Sequence, residues 1–296
     1  MRKQSEFMQG IFYTLTAYLL WGILPVYWKS IYGVDAFEIL SWRVIWSVVF
    51  VGLVIIGLGR WKIFCTEVKK IMTDKGKMVL LALAGTTIMC NWGIFIWAVS
   101  NGHIIETSMG YYINPLVSIL IGVLYLKEKL NNLMKLSIMC AGIGVAVMIF
   151  SIGVFPWISL SLAISFAFYG LIKKTLVVET LTGILLETLL VSPLACLYLY
   201  WLAEQGGASW QNVDWLMILL LIGAGIVTAI PLIMFTAGAK LLPLSIIGFL
   251  QYISPTISLL LGIFIYGEHF SANHLYAFTC IWIGLVLFSY SQIKNR

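Results

Sequence analysis

Residues 110–128 read GYYINPLVSILIGVLYLKE, and residues 250–268 read LQYISPTISLLLGIFIYGE. Aligned at a shift of 140 positions, the two stretches share seven of nineteen residues, among them the pairs Tyr112/Tyr252 and Pro115/Pro255. Self-similarity at a fixed spacing is typical of an internal repeat. Both stretches are apolar and close to the length of about 20 residues that one membrane-spanning helix needs. The chain is therefore predicted to hold two related sets of membrane helices.

The composition of the whole chain agrees with this prediction. Of its 296 residues, 61% are apolar and 10% are charged, and the mean hydropathy is +1.00. Soluble domains are about 45–50% apolar and about 25% charged, so a soluble enzyme is excluded. Because unpaired backbone groups are costly in hydrocarbon, the apolar runs are predicted to be helices. Ten such runs occur, at 11–28, 36–58, 78–99, 106–126, 133–150, 155–172, 181–203, 214–237, 243–266 and 273–291.

The distribution of Lys and Arg predicts the orientation. With ten spans and the N-terminus inside, the inner segments hold 16 of the 18 basic residues, while Lys29 lies outside and Arg43 lies within a span. This bias is the positive-inside pattern of membrane proteins, so the net charge of +6 indicates orientation rather than nucleic-acid binding. Both tails, 1–10 and 292–296, are then cytoplasmic. The loop 59–77 carries six of these charges, which either bind anionic lipid or serve only as a topology signal.

The spans divide into two units of five, residues 11–150 and 151–291. Because five is odd, the second unit starts on the opposite face of the membrane. The predicted fold is an all-α integral membrane protein of ten transmembrane helices, arranged as two inverted five-helix repeats. Inverted repeats of this kind are common in secondary transporters, where exchange of conformation between the two units opens a central site to each side in turn.

Two charged residues lie inside predicted spans, where charge is costly and often functional. Arg43, in the second span, either attracts an anionic or carboxylate-bearing substrate, extends outward to water, or pairs with Glu38. Glu187, in the seventh span, either carries a proton or cation, pairs with Arg43, or is hydrated near the inner boundary.

Other residues within the spans complete the predicted substrate cavity. The amides either orient a ligand or bind helices to one another, and the aromatic rings line either a ligand or the lipid and neighbouring helices. Pro115 and Pro255 interrupt equivalent spans and are predicted to be hinges. The cavity candidates besides Arg43 and Glu187 are Trp21, Asn91, Trp92, Tyr111, Asn114, Tyr169, Gln251 and Tyr252.

The motifs of several enzyme classes are missing from the sequence. It contains no GxxxxGK[ST], HExxH or GxSxG, no pair of carboxylates spaced for acid–base work, and no Cys/His cluster for a metal. We therefore expect no enzyme, no cofactor and no metal, but a secondary transporter of small metabolites or drugs that works by alternating access without ATP. The drive is either the substrate gradient or a proton at Glu187, and the protein is a monomer or homodimer. A membrane scaffold or sensor is the alternative.

Several segments also carry a family resemblance. AYLLWGILPVYWK at 17–29, NWGIFIWAV at 91–99, SFAFYGLIKK at 165–174 and GIVTAIPLIMFTAGAK at 225–240 resemble the RarD proteins of bacteria, as do EILSWRVIWS at 38–47 and GFLQYISPT at 248–256. These belong to the EamA branch of the drug/metabolite transporter superfamily. The resemblance implies an inner-membrane permease, of the kind described as chloramphenicol-sensitive. It implies a central cavity lined by the first four and the sixth to ninth spans, and it carries over no binding residue.

Overall fold

A computed structural model describes residues 2–100, 103–152, 156–211, 214–265 and 272–294. Over these residues the chain is helical, apart from turns and connections, and it contains no strand. A single-turn 3₁₀ helix lies at Ser209–Gln211. The α-helices of the described part are α1 Arg2–Lys29, α2 Ala36–Gly57, α3 Trp61–Thr73, α4 Lys75–Ser100, α5 Ile104–Leu124, α6 Asn132–Ile152, α7 Trp157–Thr175, α8 Thr180–Glu204, α9 Trp215–Leu241, α10 Leu244–Gln251, α11 Ile253–Phe264 and α12 Ala272–Lys294.

The helices begin where the sequence offers a cap. The carboxylates of Asp35, Glu179 and Asp214 accept hydrogen bonds from backbone amides in the first turns of α2, α8 and α9, at 2.8–2.9 Å. These amides have no partner within their own helix, so the caps stabilise the three helix starts.

Some of these helices have the length and composition of membrane spans. Seven segments are long and apolar enough to cross a bilayer, and Met109–Leu124 and Leu275–Ser291 are shorter apolar helices. The count refers to the described residues. A multi-pass helical membrane protein is therefore established, whereas the ten spans and the inverted repeat remain predictions. The seven segments are Gln4–Lys29, Ala36–Gly57, Lys75–Phe95, Asn132–Phe150, Thr180–Glu204, Trp215–Leu241 and Leu244–Leu261.

Two local features differ from the expectation. The loop 59–77 contains the amphipathic helix α3, of which Ile71 is the buried residue. The run 243–266 is divided at Tyr252 into α10 and α11. Pro255 lacks the N–H that would bond to the carbonyl of residue 251, which weakens the helix at that point. Pro115, its sequence equivalent, lies inside the unbroken α5.

The two halves of the chain pack mainly against each other. Helix α9 lies along α1 and α2, α7 along α4 and α5, and α12 along α6. Close approach depends on small residues: a Cβ atom at Gly225 of α9 would lie 2.6 Å from the amide nitrogen of Ser47 on α2. The folded core is therefore made at the contact between the halves.

The seam between α6 and α12 is equally close. A Cβ atom at Gly144 would lie 2.5 Å from the carbonyl oxygen of Ala277, and one at Gly284 would lie 2.8 Å from that of Ser137. At one end of the seam, the amide of Asn131 donates to the hydroxyl of Ser291 at 2.7 Å.

Candidate functional site

Arg43 lies inside the bundle, among side chains of three other helices. Its Nε donates to Oγ1 of Thr228 on α9 at 3.0 Å. The guanidinium carbon lies 4.7 Å from the ring centroid of Trp28 on α1 and 5.0 Å from that of Trp92 on α4. Both distances are within the range of cation–π attraction. The helices thus hold a cation between two indole rings.

The sequence left three alternatives for Arg43, and the contacts decide against two of them. In the described part of the chain, Arg43 forms no ion pair. Glu38 is buried and accepts a hydrogen bond from the backbone amide of Ser209 at 3.2 Å. The pairing of Arg43 with Glu38 is therefore wrong. Outward extension is also wrong, because the side chain reaches across the bundle to α9.

Tyr111 on α5 is a partly exposed residue that interacts with Arg43. It is 48% exposed, and its ring lies 6.1 Å from that of Phe95 on α4. Its hydroxyl interacts electrostatically with Arg43 on α2. A partly accessible side chain from a fourth helix is thus added to the surroundings of Arg43.

Glu187 belongs to a second charged group. Its Oε1 lies 2.7 Å from Nζ of Lys173, and its Oε2 accepts a hydrogen bond from the hydroxyl of Tyr169 at 3.2 Å. The Lys173 and Glu187 side chains are only 2% and 3% exposed. Glu187 is therefore neither paired with Arg43 nor hydrated at the boundary, and the sequence prediction of these two alternatives is wrong.

Lys173 is the functional candidate that the sequence reasoning missed, because it was counted only as an inner-segment charge. Two signals point to it. A carboxylate inside a span needs a cation, and Lys173 lies four residues after Tyr169, on the same face of α7.

Aromatic side chains surround this ion pair. The ring of Tyr169 stacks on that of Phe235 at 6.1 Å. Phe235 in turn lies 5.7 Å from Trp21 and 5.4 Å from Phe166. Trp21 and Tyr169, which the sequence assigned to the cavity, thus belong to a packed cluster that joins α1, α7 and α9.

The amide candidates serve separate contacts. Asn91 donates to the carbonyl of Leu162 and the hydroxyl of Ser165, both at 2.9 Å, and so binds α4 to α7. Asn114 accepts a hydrogen bond from Ser118 one turn further along α5. The contacts of Asn91 favour the helix-binding alternative for this residue.

Gln251 and Tyr252 lie beside the break between α10 and α11. Oε1 of Gln251 and the hydroxyl of Tyr252 are buried, and neither has a hydrogen-bond partner among the described residues. Nearby, the hydroxyl of Tyr112 donates to the carbonyl of Pro255 at 3.3 Å. A Cβ atom at Gly248 would lie 2.7 Å from the carbonyl oxygen of Pro115. The two proline segments are therefore brought into contact.

Two cavities lie in the bundle, and the smaller one adjoins Glu187 and Trp92. One of about 10 Å³, enough for about one water, is lined by Glu187, Trp92 and Thr188 among others. The other, about 430 Å³, lies between α1, α2, α8 and α9 and is lined mostly by apolar side chains, with Arg60 and Glu179. These two charged residues form an ion pair at 3.3 Å. In the described ranges, no group of three His, Cys, Asp or Glu side chains could hold a metal.

Polar links join the helix ends that the charge pattern places inside. The Glu128 carboxylate accepts hydrogen bonds from the amides of Leu244 at 2.6 Å and Ser245 at 2.9 Å, at the start of α10. Nζ of Lys174 donates to the carbonyl of Leu242, and Nζ of Lys240 to that of Val178. These links join the α5–α6 connection to α10, α7 to the α9–α10 connection, and α9 to the α7–α8 connection. Glu268, the repeat equivalent of Glu128, lies outside the described residues.

Comparison with known proteins places this bundle in a class. Residues 8–150 match the model of the EamA-like transporter family. The uncharacterized transporter YojE of Bacillus subtilis is 43% identical over 99% of this chain and 97% of its own. The protein RarD of Escherichia coli is 42% identical over 99% and 97%. A chloramphenicol-sensitive protein RarD of Pseudomonas aeruginosa is 28% identical over 97% and 95%.

One solved crystal structure is similar in fold, with a TM-score of 0.69 over 94% of this chain and 96% of its own, at 16% identity. The helical bundle with charged groups in its interior is thus a multi-pass bacterial membrane transporter and not an enzyme. The chain belongs to the EamA-like transporter family, and within it to the RarD-type permeases. The resemblance found in the sequence is confirmed.

Proposed function

We propose that the protein is a secondary transporter of small metabolites or drugs that works by alternating access without ATP hydrolysis. The observation that carries the proposal is the position of its charged groups. Arg43 lies at the contact between the two halves, where it interacts with the partly exposed Tyr111, and the side chains of the Lys173–Glu187 pair are almost fully buried. Charge in a membrane interior is costly and is kept where it serves a substrate or ion.

The proposed architecture is that of ten spans in two inverted repeats, residues 11–150 and 151–291. Packing between the halves supports it, as does the contact between the two proline segments. Both termini then lie in the cytoplasm and the protein in the inner membrane. Pro115 and Pro255 are the proposed hinges, and the helix break at Tyr252 supports the second of them.

The proposed cycle starts from a bundle that is closed at its inner end. The links made by Glu128, Lys174 and Lys240 must release before a substrate can leave on that side. The proposed cavity residues remain Trp21, Arg43, Asn91, Trp92, Tyr111, Asn114, Tyr169, Glu187, Gln251 and Tyr252. The substrate gradient or a proton at Glu187 supplies the drive.

Lipid is the proposed partner of α3. Its Lys62, Lys69 and Lys70 suit anionic headgroups. Its exposed Trp61 and Ile63, each 50% accessible, suit an interfacial position. The protein works as a monomer or homodimer.

Flux tests the proposal. Full-length protein in proteoliposomes should accumulate or release at least one member of a metabolite and drug library, with and without an imposed pH gradient. Liposomes containing a heat-inactivated sample are the control. Absence of flux for the whole library in both conditions would refute the transporter assignment. Flux that is independent of the pH gradient would exclude proton coupling from the mechanism.

A further inference from the structure

We propose that Arg43 is the anchor for a carboxylate, and that the substrate is a small organic acid with a flat apolar body. This inference rests on the proposed transport function and specifies the substrate class of the same site. It follows from the hydrogen bonds of the guanidinium, from its charge, and from the aromatic side chains near it.

Several N–H donors of the Arg43 guanidinium are not used by the protein. Of its five N–H groups, the one on Nε is used by Thr228. The two terminal nitrogens have no hydrogen-bond partner in the described part of the chain. Thr228 is itself fixed, because its hydroxyl donates to the carbonyl of Ala224 at 2.7 Å. The Nε side of the guanidinium is thus fixed by Thr228, while the two terminal nitrogens can donate to a ligand.

The charge of Arg43 is also incompletely balanced. The two indole rings attract the cation, but no carboxylate of the described chain pairs with it. A planar fork with parallel N–H groups matches the two oxygens of a carboxylate. An anion bound at the unused edge of the guanidinium would therefore complete the site.

The aromatic side chains near Arg43 describe the rest of the ligand. Trp28 and Trp92 flank the guanidinium, and Tyr111, which interacts with it, lies 6.1 Å from Phe95. Aromatic walls bury a flat apolar group well, and the tyrosine hydroxyl adds one polar contact. A carboxylate with a ring or short apolar chain fits, whereas an organic cation would meet the charge of Arg43.

Binding to the purified full-length protein tests the inference. The probes are phenylacetate, its neutral analogue phenylacetamide, the cation phenethylamine, and chloride, each followed by isothermal titration and thermal shift. We expect phenylacetate to bind about 10-fold or more tightly than phenylacetamide, and phenethylamine not to bind. Arg43→Gln should abolish this preference. Arg60→Gln, which removes an exposed cation of the same charge, should leave it unchanged.

Three results would overturn the inference: equal or tighter binding of the neutral or cationic probe, an unchanged preference in Arg43→Gln, or failure of all carboxylates to bind. Chloride that binds as tightly as phenylacetate would reduce the site to one for inorganic anions and would also overturn it. Transport is scored separately. Flux of neutral compounds that persists in Arg43→Gln would refute the anchor and leave the transporter standing, whereas carboxylate binding without any flux would refute the transporter.

Discussion

Removing one member of the Lys173–Glu187 pair should destabilise the protein far more than removing both. The two side chains are 2% and 3% exposed and are joined by a bond of 2.7 Å. Breaking a buried pair leaves an uncompensated charge, which costs about 3–5 kcal/mol. Lys173→Met and Glu187→Met should each lose about that much stability.

The double variant Lys173→Met/Glu187→Met should lose much less than the sum, because replacing a buried pair with apolar groups of similar size is often neutral. It still breaks the hydrogen bond from Tyr169, which we expect to cost about 1 kcal/mol. The quantity to measure is therefore the interaction free energy between the two side chains, which is the difference between the stability lost by the double variant and the summed losses of the two single variants.

Reversible unfolding by SDS in mixed micelles, followed by tryptophan fluorescence, gives the free energy of unfolding for each variant. Arg60→Gln is the control, because its pair with Glu179 has side chains 50% and 25% exposed and should contribute at most about 1 kcal/mol. Single variants within about 1 kcal/mol of the parent, or a double variant that equals the sum of the singles, would show that the pair is not a buried ion pair.

Arg43→Ala and Glu187→Gln should lower flux in proteoliposomes more than they lower the amount of protein inserted in the membrane; normal flux in both would remove these residues from the mechanism. Gly225→Ala should cost about 1–3 kcal/mol in the same SDS assay, because a Cβ there would lie 2.6 Å from the Ser47 amide. Gly52→Ala, with no neighbour within 4 Å, should be neutral or stabilising, and equal effects would contradict the packing. Reporter fusions at the two termini should report the same, cytoplasmic side, and opposite sides would exclude an even number of spans.

The helical fold was largely predictable, because hydrocarbon permits few other backbone arrangements and the apolar runs are long. The break at Tyr252 was harder to place. Both Pro115 and Pro255 interrupt the helical hydrogen bonds, but α5 continues through the first and the helix stops before the second. Tertiary packing, which the sequence does not display, decides between these outcomes. Helix α3 was not predicted, because the lysines of its segment are typical of a charged loop between two spans.

The sequence allowed the charged residues of the site to be predicted, but not the residues that they contact. Arg43 and Glu187 were found because charge inside an apolar run is conspicuous. Their partners Thr228 and Lys173 were not found, because they lie 185 and 14 residues away and hydroxyls and terminal lysines are common in such chains. Partner choice depends on how the two halves meet, and a single sequence carries little information on that.

The close seam between α6 and α12 has a mechanical consequence. At Gly144 and Gly284 the backbones of the two helices almost touch, so sliding or rolling of one helix over the other would bring main-chain atoms into collision there. We therefore expect α6 and α12 to move together as one rigid body. Any rearrangement that opens the molecule to the other side of the membrane must then take place at helix contacts outside this seam.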